Sequence, residues 1–175
     1  MPNLNLFSQK NGYPIHISVL SHKFDIAFRM LKLAQHSNTS LECPEDEVMS
    51  ENHKPIIDVA VTNTIGANLL HLLFVKYEKD FRQTKRILYE CVKLRDVLDL
   101  NLIDSLEACP LHVAMRKRQF EAICQCVKIN KTHDKPVFDF NIRNKRGQTP
   151  LHYAIEKQDY EMLMGLLRDP FINPL

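Results

Sequence analysis

Four short echoes constrain this chain more than any other feature. Tyr13-Pro14-Ile15-His16, Asn68-Leu69-Leu70-His71, Cys109-Pro110-Leu111-His112 and Thr149-Pro150-Leu151-His152 all end on a histidine that follows an apolar residue. A unit written several times folds by stacking on its own copies, because one copy cannot bury its apolar face alone. The residue types fit a helix start. A hydroxyl or amide at the first place can satisfy orphan backbone N–H groups. Pro at the next place loses nothing by lacking an N–H, and its fixed φ suits a first helical turn. Two residues past each histidine stand Ser18, Leu73, Ala114 and Ala154, mostly small, as close helix packing requires.

A second register check is independent of the first. Fourteen and fifteen residues past the histidine fall the apolar pairs Met30-Leu31, Cys126-Val127 and Leu166-Leu167. The second copy lands instead on Lys85-Arg86, with Ile87-Leu88 two residues later, so its hairpin is expected to be about two residues longer, around VKYEKDFRQTKRIL. The stretch DFNIRNKRGQTPLHYAIEKQDYEMLMGLL resembles an ankyrin repeat almost letter for letter, and the other three copies are weaker versions. The resemblance implies an all-α ankyrin-repeat solenoid of about four helix-turn-helix repeats with long insertions. It is expected as a single domain over 1–175, with repeats near 9–34, 63–97, 104–130 and 144–175.

The spacing departs from a regular array. Successive motif histidines are 55, 41 and 40 residues apart, against about 33 in a regular ankyrin repeat. The surplus is expected as insertions: an acidic loop over 35–55, a polar segment INKTHDKPV over 129–137, and added helix in YECVKLRDVLDL. Leu100-Asn101-Leu102 and Phe140-Asn141-Ile142 resemble the extended approach to the repeat that follows each. After Leu167 the chain resembles the approach to a fifth repeat. A terminal repeat ordinarily carries a polar cap, so that edge is expected to be covered by further chain or by a partner.

Catalysis has no foothold in these residues. Four of the eight histidines, His16, His71, His112 and His152, are motif residues, whose rings the resemblance implies hydrogen-bond to backbone between repeats. One repeat apart, at about a helix diameter, they are too far from each other to share a metal. No metal ligand set and no cofactor are expected. Cys124 and Cys126, two apart on a helix, point away from each other. No nucleophile elbow, phosphate-cradling glycine loop or H-E-x-x-H motif is present. Only four glycines and no tryptophan argue further against a β-rich or glycine-loop fold.

What remains is binding. A net charge of +2 gives no global drive toward nucleic acid or anionic membrane. Aromatics do not interleave with the basic residues, so direct nucleic-acid binding is not expected. No apolar run approaches the length needed to span a bilayer, and MPNLNLFSQKNGY lacks the layout of a signal peptide. Cysteines placed among periodic apolar residues suit a reducing cytoplasmic or nuclear setting. Basic residues cluster over Lys76–Arg95 and at Arg116-Lys117-Arg118, opposite in sign to the acidic loop. In an ankyrin array the finger turns and inner helices carry the contacts. The resemblance therefore points to Asn63, Thr64, Asp104, Ser105, Arg143, Lys145 and Arg146 on the fingers, and to Lys76, Arg116, Lys117 and Arg118 near the concave side. His16, His71, His112, Thr149, Pro150, Leu151 and His152 hold the repeat itself. The function implied is a non-catalytic scaffold or regulatory subunit for a partner protein. GANLLHLLFVKYEKDFRQTKRIL is similar to the first repeat of IκB-like inhibitors of Rel-type transcription factors, and the four-repeat size is similar to small ankyrin-type kinase or cell-cycle regulators.

Overall fold

A computed structural model describes residues 13–39, 57–76 and 81–173, which form eight helices and no strand. They pair in order: α1 (Pro14–Leu20) with α2 (Phe24–Thr39), α3 (Leu69–Val75) with α4 (Phe81–Lys93), α5 (Pro110–Arg116) with α6 (Phe120–Asn130), and α7 (Pro150–Glu156) with α8 (Tyr160–Leu166). Contacts run α1 to α3 to α5 to α7 and α2 to α4 to α6 to α8. The four pairs therefore stack as an inner and an outer layer of helices, as the repeat pattern predicts.

Each helix pair is built by the same local chemistry. Pro14, Pro110 and Pro150 open their helices. Asn68 does the work of a cap in the second copy, its Oδ1 accepting from the Leu70 and His71 N–H groups. Three of the four inner helices, α1, α5 and α7, end alike. His22, Arg118 and Gln158 take φ values of 56, 55 and 53°. The next N–H reaches back five residues in each case, Lys23 to Ser18, Gln119 to Ala114 and Asp159 to Ala154. This Schellman closure turns the chain sharply into the outer helix.

The core runs the length of the stack. Ile15, Leu70, Leu111 and Leu151 bury the inner helices, and Leu31, Ile87, Leu88, Cys126 and Leu166 the outer ones. Burial of one such aliphatic side chain contributes about 1.5–3 kcal/mol. A buried carboxylate adds a polar tie between α2 and α4: Glu90 accepts from Gln35 at 2.5 Å, Lys93 at 3.0 Å and Lys32 at 3.1 Å. Burial alone would raise its pKa, but these hydrogen bonds outweigh it and hold the carboxyl below the usual range.

Several local expectations change. The second pair is spaced more widely than its neighbours: α3 ends at Val75 and α4 begins at Phe81, where 117–119 and 157–159 suffice elsewhere, and residues 77–80 lie outside the described residues. Helix α2 continues to Thr39, into the stretch expected as loop; residues 40–56, the rest of that acidic segment, lie outside the described residues. The helix expected through YECVKLRDVLDL stops at Lys93, where Leu94 to Leu98 close into turns through the bonds Leu94 to Cys91 and Leu98 to Leu94. Leu167 belongs to a sealing pair by register yet stands half exposed, because no following helix pair covers it among the described residues.

Candidate functional site

Three finger turns project from the ends of the inner helices, and one device builds all of them. Asn63 Oδ1 accepts from the Ile65 and Ala67 N–H groups at 3.1 and 2.9 Å. Asp104 Oδ1 accepts from Leu106 and Ala108 at 2.9 and 3.0 Å, and Asn144 Oδ1 from Arg146 and Gln148 at 2.9 and 3.1 Å. Asx side chains lock turns in this way by mimicking a backbone acceptor. The fourth residue of each turn is left-handed, at Gly66 (72°), Glu107 (55°) and Gly147 (72°), so only the middle finger places a side chain where glycine is at ease. The Ser105 N–H donates to the Ile65 carbonyl at 2.9 Å and joins the first two fingers.

These bonds redistribute the finger residues expected to meet a partner. Asn63 and Asp104 shape their turns, and Asp104 is buried; only the turn geometry shows this task. Thr64, Ser105, Lys145 and Arg146 stand exposed at the tips, and exposed Arg143 donates to the Gly147 carbonyl at 3.0 Å. Ile65, Ile103 and Leu106 are exposed beside them and escape the sequence pattern. Their only sequence signal is an apolar residue inside a turn otherwise written with polar ones.

The inner turns are basic but partly engaged. Arg118 pairs with Asp159 at 3.2 Å, while Arg116 and Lys117 are exposed and make no ion pair among the described residues. Lys76 is half-buried where α3 ends. The basic run along α4 stays at the surface but is partly engaged. Arg86 pairs with Asp25 at 3.6 Å and lies 3.6 Å over the Phe28 ring, and Lys93 holds Glu90. Arg95 reaches His133 at 3.4 Å.

Two of the four motif histidines, His71 and His112, are structural rivets to the next repeat, whereas the hydrogen bonding expected of His16 is not met. The Asn68 N–H donates to His71 Nδ1 at 3.3 Å, and His71 Nε2 donates to the Ala108 carbonyl at 3.0 Å. His112 repeats the pattern from Cys109 to the Gln148 carbonyl, at 3.3 and 3.0 Å. His152 keeps the cap contact to Thr149 at 2.7 Å, but its ring is exposed. His16 is buried, yet neither ring nitrogen finds a partner of good geometry. Burial lowers its pKa to about 4 against the raising influence of the Val61 backbone. Burial also lowers His71 and His112, with the Ala108 and Gln148 carbonyls opposing it.

Reactive groups are not gathered anywhere among the described residues. Cys91, Cys109 and Cys126 are buried thiols whose pKa burial raises, Cys91 to about 12 and Cys109 to about 11. Cys43 lies outside the described residues. No group of three or more His, Cys, Asp or Glu side chains is poised to hold a metal among the described residues, and no helix there is long and apolar enough to cross a membrane. An open cleft of about 630 Å³ lies between the turns that follow α4 and α6, lined by Arg95, Asp99, Asn101, His133, Lys135 and Val137. Its charges are of both signs.

Comparison with curated proteins found no match. A family model described as ankyrin repeats (3 copies) matches residues 2–174, nearly the whole chain. Its helix pairs, finger turns and histidine rivets are the parts such a repeat requires, and the chain belongs to the ankyrin-repeat family.

Proposed function

We propose that this chain is a non-catalytic scaffold that binds a partner protein through its finger turns and inner helix turns. Ankyrin repeats are in general protein-interaction modules, and proteins built from them are typically not enzymes. The observation that carries the proposal is the row of fingers locked by Asn63, Asp104 and Asn144, with large apolar side chains held out into solvent at Ile65, Ile103 and Leu106. Exposed apolar groups on preorganised backbone lose little entropy on binding. Next to them the third finger presents Arg143, Lys145 and Arg146, and the inner turn Arg116 and Lys117. The chemistry that fits is a partner segment with apolar anchors beside acidic residues. Occupying such a segment masks it from others, which is how a regulatory subunit acts. Buried, reduced cysteines support a reducing compartment, the cytoplasm or the nucleus.

The test is affinity capture from native extract with the wild-type chain and two surface variants, read by mass spectrometry. Ile65→Ser with Ile103→Ser and Leu106→Ser, and separately Lys145→Glu with Arg146→Glu, should keep the wild-type circular dichroism and lose the captured protein. A Rel-type factor or a kinase among the lost proteins would name the narrower class. Capture unchanged by both variants would sink the finger-tip assignment.

A further inference from the structure

The same position can be followed across the three finger turns. Two residues past the locking side chain stand Ile65, Leu106 and Arg146, and one residue before it Thr62, Ile103 and Arg143. All but Thr62 are exposed. Both rows change from uncharged to cationic at the third finger, where exposed Lys145 adds a further charge. Glu156 lies within reach of the field of Arg146, but its carboxylate is already engaged by Lys157 at 3.0 Å and Gln148 at 2.6 Å. The middle finger instead holds out Glu107 beside Leu106. A carboxylate on a bound segment is therefore repelled from the second finger and drawn to the third. The backbone of the row is uneven as well. The Ser105 N–H closes the second finger on the Ile65 carbonyl at 2.9 Å, whereas the equivalent bond from the Lys145 N–H to the Leu106 carbonyl does not form.

On the reading of these fingers as the docking edge, we propose that they take an extended acidic segment of period three. Its apolar side chains at i and i+3 sit on the first and second fingers, and Asp or Glu at i+6 on the third. Stacked helices lie about 8–10 Å apart, which sets the step from one finger to the next. A polyproline-II segment repeats its side-chain direction every three residues, a rise of about 9.3 Å. Three equivalent side chains thus meet three fingers in turn. Such a segment also keeps its N–H and C=O groups free for Leu106 and Lys145, whereas a helix satisfies its own internally.

Selection on the purified chain from a displayed library of random peptides, each about twelve residues long to hold the full pattern, tests the proposal. Enriched sequences are expected to carry Leu, Ile or Val at two positions three apart and Asp or Glu three further on, in one chain direction. Ile65→Ser or Leu106→Ser should weaken the best such peptide by about tenfold or more. Selection on the Lys145→Glu, Arg146→Glu variant should return Lys or Arg at the last of the three positions, and Glu107→Lys should admit acid at the middle one. No enrichment, peptides with helical i, i+4 spacing, or a pattern indifferent to these charge changes would overturn the extended segment. Helical peptides that still lose binding on the finger variants would leave the finger docking edge standing. Enriched peptides that bind every finger variant as well as wild type would overturn both.

Discussion

The third and fourth repeats carry the better copies of the motif, yet the same residue does different work in each. His112 spans two repeats, taking the Cys109 N–H on one nitrogen and giving the other to the Gln148 carbonyl. His152 keeps only the intrahelical half of that arrangement, and its ring stands in solvent. Met115 is sealed while its counterpart Ile155 is more than half exposed. Motif identity thus specifies the helix start, and the energetic weight of each motif residue comes from what stacks on it. Stability in such an array is close to a sum of repeat and neighbour-interface contributions.

The largest break in that comparison should come from the sealed position. Met115→Ala is expected to cost about 2–5 kcal/mol in urea unfolding. Ile155→Ala, measured in dilute solution, should stay within about 0.5 kcal/mol of wild type. Equal losses at the two sites would contradict the neighbour-interface account. Acid should act on the buried rings next. The His16 imidazole titrates near its ordinary value when unfolded and at about 4 when folded, so the unfolded chain binds the proton first. Its contribution is therefore complete above pH 6.5 and is lost as pH falls from there toward 4, by about 3 kcal/mol from this group. His71 and His112 are lowered as well and add to the loss in the same direction. Unfolding free energies measured between pH 7.5 and 4 give the slope, and a profile that stays flat over that range would contradict the burial of these rings.

A smaller contrast separates the two rivets directly. His112→Ala removes a bridge and leaves the Gln148 carbonyl without its partner, at a cost of about 1–3 kcal/mol. His152→Ala should cost less than about 1 kcal/mol by the same assay, since water replaces what the exposed ring gave. The smallest effect runs the other way. Gln158 occupies the left-handed closing position at φ 53°, which glycine adopts freely. Gln158→Gly should raise stability by up to about 1 kcal/mol, seen as a higher midpoint in thermal melts. A lower midpoint would show that the side chain contributes more than its backbone strain costs.

Much of this fold was legible in four residues and an offset. Pro110, Pro150 and Asn68 mark helix starts by backbone chemistry that needs no tertiary partner. Met30, Ile87 and Cys126 mark the sealed outer helices because burial follows helical period. The binding surface was less legible, and for a physical reason. Whether Asp104 meets a partner or ties its own turn depends on which N–H groups lie within 3 Å, and Asx side chains have both options in any polar loop. The basic residues of α4 could not be sorted either, since Asp25 and Phe28 engage Arg86 only once α2 lies alongside, whereas Lys93 pairs with Glu90 of its own helix. Ile103 and Leu106 are apolar residues in a turn, and the stacked geometry alone shows that they stand outside the core.

Asn101 and Asn141 both join the approach segment of one repeat to that of the next, through the Val137 and Phe171 carbonyls. Asn130 does something different at the root of the polar insertion. Its Oδ1 accepts from the Val137 and Phe138 N–H groups at 3.0 and 2.9 Å, and its Nδ2 donates to the Phe138 carbonyl and to Asp169, both at 2.8 Å. One fully buried amide thus pinches the two ends of the loop together and fastens them to the next repeat. The loop is fastened to the stack chiefly at that pinch, with a lighter contact from Arg95 to His133. Residues 132–136 lie between the two ends of that pinch, so a loop of another length there would leave the bonds of Asn130 to the next repeat in place.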